Sequence, residues 1–178
     1  MTRPQVLILL DADVLIHFAH ADKISLLNEL FPGRLRILDM VVEELRANRH
    51  ISARLDMIFR LSGIHEIFFP TNELLPEYIK LKKQIKGKGE SACLVYCKNY
   101  KHIIASSNTR DTLDYCRQHD IAYLTTLDVF CIALHRKILT PSEINHLIKL
   151  IQSKGSYLCC NSIQEHQKKH FDPKMLNY

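Results

Sequence analysis

The sequence predicts an α/β domain: a central parallel sheet flanked by helices on both sides. Three observations lead there. Val6-Leu7-Ile8-Leu9-Leu10 is a run of branched aliphatic residues, too short for a helix and apolar on both faces, as a strand inside a parallel sheet must be. A second buried run, His102 to Ala105, closes on the polar stretch Ser106-Ser107-Asn108-Thr109. Between and after them, helical spacings alternate with short strand-like segments, the pattern that βαβ units leave in a chain.

In order, the Val6 to Leu10 strand leads into helical sequence from Val14 to Phe31, in two pieces, ended by Pro32-Gly33. Leu35 to Leu38 reads as a short strand, and Asp39 as the N-cap of a helix carrying Met40, Val41, Glu44 and Leu45. Ile51 to Leu61 reads as one helix stopped by Gly63, and Ile64 to Phe69 as a strand ending at Pro70. Glu73 to Ile85 is amphipathic, with Leu74, Leu75, Tyr78 and Leu81 expected inward. After the loop Lys86-Gly87-Lys88-Gly89, Glu90 opens a helix that runs to Tyr100. Asp111 to His119 is helical, Ile121 to Leu124 a strand, and Thr126 to Arg136 a helix. Pro141 starts a long helix with Ile144, Leu147, Ile148 and Ile151 on one face, halted by Gly155, and the tail from Ser156 shows no period. The expected division is an α/β domain over residues 1–140 and a helical C-terminal extension and tail over 141–178.

The 178 residues are 47% apolar and 24% charged, values that suit a globular domain with a sizeable core. The six cysteines are dispersed and form no repeated C-x-x-C pair. With no cationic N-terminal region before a long apolar core, a cytoplasmic protein with reduced thiols is expected, without a membrane span. The net charge of +5 is uneven: from Leu134 onward there are seven Lys+Arg against three Asp+Glu. A basic tail beside a near-neutral body is compatible with a polyanionic partner. No nucleophile elbow and no glycine fingerprint for nucleotides occurs.

Four polar positions fall where elements change over. Asp11 ends the first strand, Glu44 lies one turn into the helix after the second, Glu90 begins the helix after the glycine loop, and Asn108 follows the strand Ile103-Ile104-Ala105. In a right-handed parallel sheet such positions converge on the edge where α/β proteins build their sites. Converging carboxylates repel one another unless a divalent cation sits among them, and oxygen ligands favour Mg²⁺ or Mn²⁺ over zinc. Each position has a plainer reading. Asp11 or Asp13 caps a helix, Glu44 pairs with Arg46 or Arg49, and Glu90 is an acid placed favourably at a helix N-terminus.

These segments resemble PIN domains. Leu9-Leu10-Asp11-Ala12-Asp13-Val14-Leu15-Ile16 resembles their opening motif, Val41-Val42-Glu43-Glu44-Leu45 their second acidic motif, and Gly89-Glu90-Ser91-Ala92 the helix start of the VapC-like branch. Ile103-Ile104-Ala105-Ser106-Ser107-Asn108 matches the strand that normally presents a further Asp. The resemblance covers roughly residues 5 to 137. It implies a three-layer sandwich and Mg²⁺- or Mn²⁺-dependent cleavage of RNA, often by a toxin that an antitoxin protein restrains and that commonly dimerises. Asp11, Glu44 and Glu90 would hold the ion, with Asn108 assisting.

One departure stands out: Asn108 occupies a place where the pattern expects Asp. An amide oxygen still coordinates a hard cation, but the site loses a negative charge. Either the metal site is weaker, or the fold binds nucleic acid or a partner protein without cleaving. Asp111 is three residues on, a further candidate ligand whose simpler role is capping. Glu43 is expected to turn away from the face that carries Glu44.

Lys80, Lys82, Lys83, Lys86 and Lys88 read either as a solvated face or as phosphate contacts beside the acidic site, as do Ser106, Ser107, Thr109 and Arg110 for phosphate. Cys93 and Cys97 are expected in the core. Cys159-Cys160 followed by His166 and His170 matches no usual finger spacing, so no structural zinc is expected there. The apolar faces of Glu73–Ile85 and Pro141–Ile151 suggest a homodimer.

Overall fold

The computed structural model describes residues 5–108, 110 and 112–178. Its elements run β1 (Ile8–Leu10), α1 (Ala12–His20), α2 (Ile24–Leu30), β2 (Leu35–Leu38), α3 (Asp39–Ala47), α4 (Arg49–Ser52), α5 (Leu55–Ser62), β3 (His65–Ile67) and α6 (Thr71–Lys82). They continue as α7 (Lys88–Tyr100), β4 (Ile103–Ala105), α8 (Thr112–Gln118), β5 (Tyr123–Leu124), α9 (Thr126–His135), α10 (Pro141–Ser153) and α11 (Ile163–Lys169), with a closing 3₁₀ turn at Pro173–Asn177. The expected α/β class holds: a parallel sheet of five strands flanked by helices, the architecture of a PIN-like sandwich.

The strand order β3-β2-β1-β4-β5 fixes where a site can lie. The chain leaves the central strand β1 for one side of the sheet, then returns to its other flank with β4. Register sets Leu10 beside Ala105, and the Asp11 amide donates to the Ala105 carbonyl at 2.9 Å. The residues just beyond Leu10 and Ala105 therefore open together at a topological switch point, where α/β sheets hold ligands outside the carboxyl ends of their strands.

Burial explains why these strands are read so directly from sequence. Ile8, Leu9, Leu10, Ile104 and Ala105 are all at most 1% exposed, so both faces must be apolar. Helix α7 packs against β1, β2 and β4 as well as α3, α6 and α8, and eight of its residues from Gly89 to Cys97 are buried. Cys93 and Cys97 are among them, in the core as expected. On α1 the Phe18 ring meets Phe130 of α9 at 5.3 Å, joining the helices that enclose the other end of the site.

Three local expectations need correction. Ile51 to Leu61 is two helices rather than one, because the Arg54 amide turns back to the Ile51 carbonyl at 2.9 Å and breaks the ladder. That break lets Ile51, Leu55 and Ile58 all bury. Leu75 is not inward: Leu74 and Leu81 are the buried residues of α6 with Tyr78 half-buried beside them, and Leu75 stays 41% exposed beside Ile79 at 48%. The tail has order that periodicity did not reveal. Ser162 caps α11 by accepting from the Glu165 amide, and Ile163 and His166 are buried. Helix α10 packs on α1, and α11 on α9 and α10.

Candidate functional site

Asp11 is the first residue past β1 and caps α1, its Oδ1 accepting from the Ala12 amide at 2.9 Å. The capping role and exposure to the site are thus compatible in one carboxylate, since Oδ2 is left to face Ser106, whose hydroxyl donates to it at 3.3 Å. Ser106 follows β4 as Asp11 follows β1, and its hydroxyl also lies 3.4 Å from Glu90 Oε1. Glu90, in the first turn of α7, receives further neutral donors: the Thr112 hydroxyl on Oε1, and the Asn108 amide on Oε2 at 3.0 Å. Glu44 approaches from α3, where its Oε1 accepts from the Gly89 amide at 2.9 Å. Glu43 points outward, as the helix spacing required.

The contact of α3 with α7 depends on Gly89 having no side chain. A Cβ there would stand 2.7 Å from Val41 Cγ2 and 3.0 Å from Glu44 Oε2. The sequence Gly89-Glu90 thereby does two things, letting the helices close and delivering Glu90 into the gap.

Asp13 belongs to the same cluster. Its Oδ2 accepts from the Ser107 amide at 2.8 Å, while its buried Oδ1 has no hydrogen-bond partner among the described residues. Read from sequence as a helix-capping residue, Asp13 gives no local signal for this role; the contact spans 94 positions. A polar relay adjoins it: Ser107 Oγ and Thr126 Oγ1 are 2.9 Å apart, and His17 Nδ1 is 2.9 Å from the same Thr126 oxygen. His17 is buried, and burial, with the nearby His20, pushes its imidazole down to about 4. A neutral His17 is consistent with its packing into this relay rather than with a charged partner for the carboxylates.

Electrostatics follows from the crowding. Burial above all, then repulsion from Asp13, Glu90 and Glu44, holds the Asp11 carboxyl well above the ordinary range, with the Ala12 hydrogen bond opposing. Burial also pushes Asp13 up to about 6, against the stabilising amides of Ser107 and Val14. Among the described residues no Lys, Arg or His forms an ion pair with Asp11, Asp13 or Glu44. Buried anions without a counter-charge are costly. An orphaned carboxylate oxygen, hard donors throughout and a missing counter-charge together fit a divalent cation of the Mg²⁺ or Mn²⁺ kind. As arranged here, Asp11 and Glu90 share the Ser106 hydroxyl, and the described carboxylates do not draw together into one ligand shell. Asp111 lies outside the described residues.

Around this edge, Lys80, Lys83, Lys86 and Lys88 are exposed, and Lys88 is two residues from Glu90 in the same helix. Arg110 is exposed on the Asn108 side.

A family model described as a PIN domain matches residues 7–170. The chain belongs to the PIN domain family. No curated protein and no solved structure matches it. PIN domains are generally nucleases that use divalent metal ions, and PIN nucleases act on RNA. The matched span contains every strand of the sheet and runs through α11. Among the described residues no helix is long and apolar enough to cross a membrane.

Proposed function

We propose that this PIN domain is an endoribonuclease dependent on Mg²⁺ or Mn²⁺, with Asp11, Glu44 and Glu90 as ligands and Asn108 in support. The observation that carries the reading is the convergence of these carboxylates at the switch point with no basic partner for Asp11, Asp13 or Glu44 among the described residues. Asp13 joins the ligand candidates through its unpartnered Oδ1. When bound, the ion would activate water and neutralise charge on the phosphodiester. The chain's own residues hold the geometry: the Ala12 amide fixes Asp11, the Gly89 amide fixes Glu44, and Thr112 with Asn108 orients Glu90. Lys86, Lys88 and Arg110 contribute sequence-independent attraction for the RNA backbone. By likeness to the VapC-like branch, the chain acts as the toxin of a toxin–antitoxin pair in the cytoplasm, where its six free thiols stay reduced.

A second reading, a module that binds nucleic acid or a partner without cleaving, draws on one contact. Asn108 presents its amide nitrogen to Glu90, a donor where the family pattern expects another acid. Calorimetry with Mn²⁺ and a cleavage assay on single-stranded RNA separate the two. The nuclease binds Mn²⁺, cleaves, and loses both properties on Asp11→Asn; RNA binding without cleavage at saturating Mn²⁺ assigns the module.

A further inference from the structure

We propose that Cys159, Cys160 and His170 form a second metal site, chemically unlike the acidic one, for a thiophilic ion of the Zn²⁺ type. The sulfurs of Cys159 and Cys160 and a ring nitrogen of His170 lie within 4.8 Å of one another. Ligands of a tetrahedral zinc site stand about 3.4–3.8 Å apart, given Zn–S near 2.3 Å and Zn–N near 2.0 Å, so modest side-chain rotation completes the approach. Two thiolates and an imidazole select zinc over Mg²⁺ or Mn²⁺. The linear spacing conceals the arrangement: adjacent cysteines fit no finger pattern, but α11 carries the chain from Cys160 back to present His170 at its C-terminal end.

The surroundings support a binding site. Cys160 is buried and Cys159 half-buried, while His170 is exposed, which leaves an entry path for the ion. One turn earlier in α11, His166 is 2% exposed and its ring lies 5.7 Å from that of His170. Its Nε2 meets Asp128 Oδ1 at 2.7 Å, and its buried Nδ1 has no hydrogen-bond partner among the described residues. A carboxylate on one ring nitrogen with the other lone pair unused is the arrangement that orients metal-binding histidines. His166 itself stands outside the group of mutually close ligand atoms, so water supplies the fourth position.

The site would act as a clip. Asp128 Oδ2 caps α9 by accepting from the Thr125 amide and hydroxyl at 2.7 and 2.6 Å, and Thr126 beside it holds Ser107. Fastening α11 therefore steadies the helix start that supports the β4 side of the acidic site.

The test uses the full chain, reduced with a phosphine, freed of metal by chelator and titrated with Co²⁺. The expected result is a thiolate-to-cobalt charge-transfer band whose intensity is abolished by one equivalent of Zn²⁺. Cys160→Ser and His170→Ala should each weaken binding ten-fold or more, and Zn²⁺ at about one hundred times its dissociation constant should raise Tm by about 5–10 °C. His170 is exposed, so its substitution leaves the fold intact; Cys159→Ser substitutes for Cys160→Ser should that variant not fold. Absence of the band at millimolar Co²⁺ in the folded protein, or a band of unchanged affinity in the variants, overturns the proposal. Oxygen ligands give no such band, so the outcome is independent of the nuclease reading.

Discussion

Gly89→Ala tests the role of Glu44 without removing any charged group. The added Cβ would stand 2.7 Å from Val41 Cγ2, 3.0 Å from Glu44 Oε2 and 3.2 Å from Val41 Cα. Val41 is fully buried and β-branched, so it has no free rotamer into which to retreat. Overpacking of this kind costs about 1–3 kcal/mol, and removing a glycine from a helix returns about 1 kcal/mol. The net destabilisation is thus about 0–2 kcal/mol, at most roughly 8 °C of Tm for a chain this size. The cost to the site is larger. Relief of the clash moves α7 from α3 or rotates Glu44 outward, and either loosens the 2.9 Å bond from the Gly89 amide to Glu44 Oε1. If Glu44 is a ligand, Mn²⁺ affinity and RNA cleavage fall at least ten-fold while the protein remains folded. Calorimetry, a thermal melt in chelator and a cleavage assay read the three quantities separately. Mn²⁺ affinity within two-fold of the wild type, at a Tm showing that the variant is folded, would refute the assignment of Glu44.

Asp11→Asn keeps an acceptor for the Ala12 amide but removes the most strongly repelled charge, so Mn²⁺ affinity should drop ten-fold or more while the metal-free protein at pH 8 melts higher than the wild type; calorimetry and melts check both signs. Asn108→Asp adds an anion beside the ion and should raise Mn²⁺ affinity roughly five-fold, on the order of 1 kcal/mol at a high effective dielectric, with cleavage appearing at lower Mn²⁺; slower cleavage would mean that the amide is tuned to its place. His17 titrates near 4 in the fold and near 6.5 when unfolded, so its contribution is complete above about pH 6.5 and is lost as pH falls towards 4. Denaturant unfolding at pH 5 should find roughly 2 kcal/mol less stability from this group than at pH 7.5, at about 1.4 kcal/mol per unit, and His17→Gln should flatten that slope. The exposed Leu75 and Ile79 on α6 predict a dimer, and light scattering at 20.7 kDa, the chain mass, would exclude it at the concentration used.

What the sequence made legible was whatever burial forces into composition. Strands β1 and β4 must be apolar on both faces, and Asp11 is conspicuous because it ends such a run. Glu44 and Glu90 could be placed because helix spacing orients one and a glycine loop precedes the other. The helix break at Arg54 carries no Gly or Pro, so nothing local marks it; the gain comes from burying Ile51 and Leu55 together. Asp13 was hidden for a similar reason, since its partner Ser107 is remote in sequence and Asp before an apolar helix is an ordinary cap. Helix α11 was passed over because the tail shows no period, and its one local mark is the S-x-x-E spacing of Ser162 and Glu165.

The replacement of an expected acid by Asn108 reads differently once Ser106 and Thr112 are considered with it. Three neutral donors surround Glu90, and one of them, Ser106, also serves Asp11. In a site of full acid complement the repulsion is relieved only by a cation, so the metal-free state is poor and affinity is high. Here the donors relieve part of that repulsion in the metal-free state, and an ion entering the cluster must compete with them. A hydrogen bond to a charged group is worth about 1.5–3 kcal/mol net, comparable to the gain from one added carboxylate. The polar substitutions therefore act on the same balance from both sides, lowering the charge that attracts the ion and stabilising the state without it. Ser106→Ala distinguishes this competition from a simple loss of charge. It removes the hydroxyl that serves both carboxylates and leaves every acid in place, so Mn²⁺ binding should tighten while stability in chelator falls. Weaker Mn²⁺ binding in Ser106→Ala would instead make the serine hydroxyl part of the ligand set.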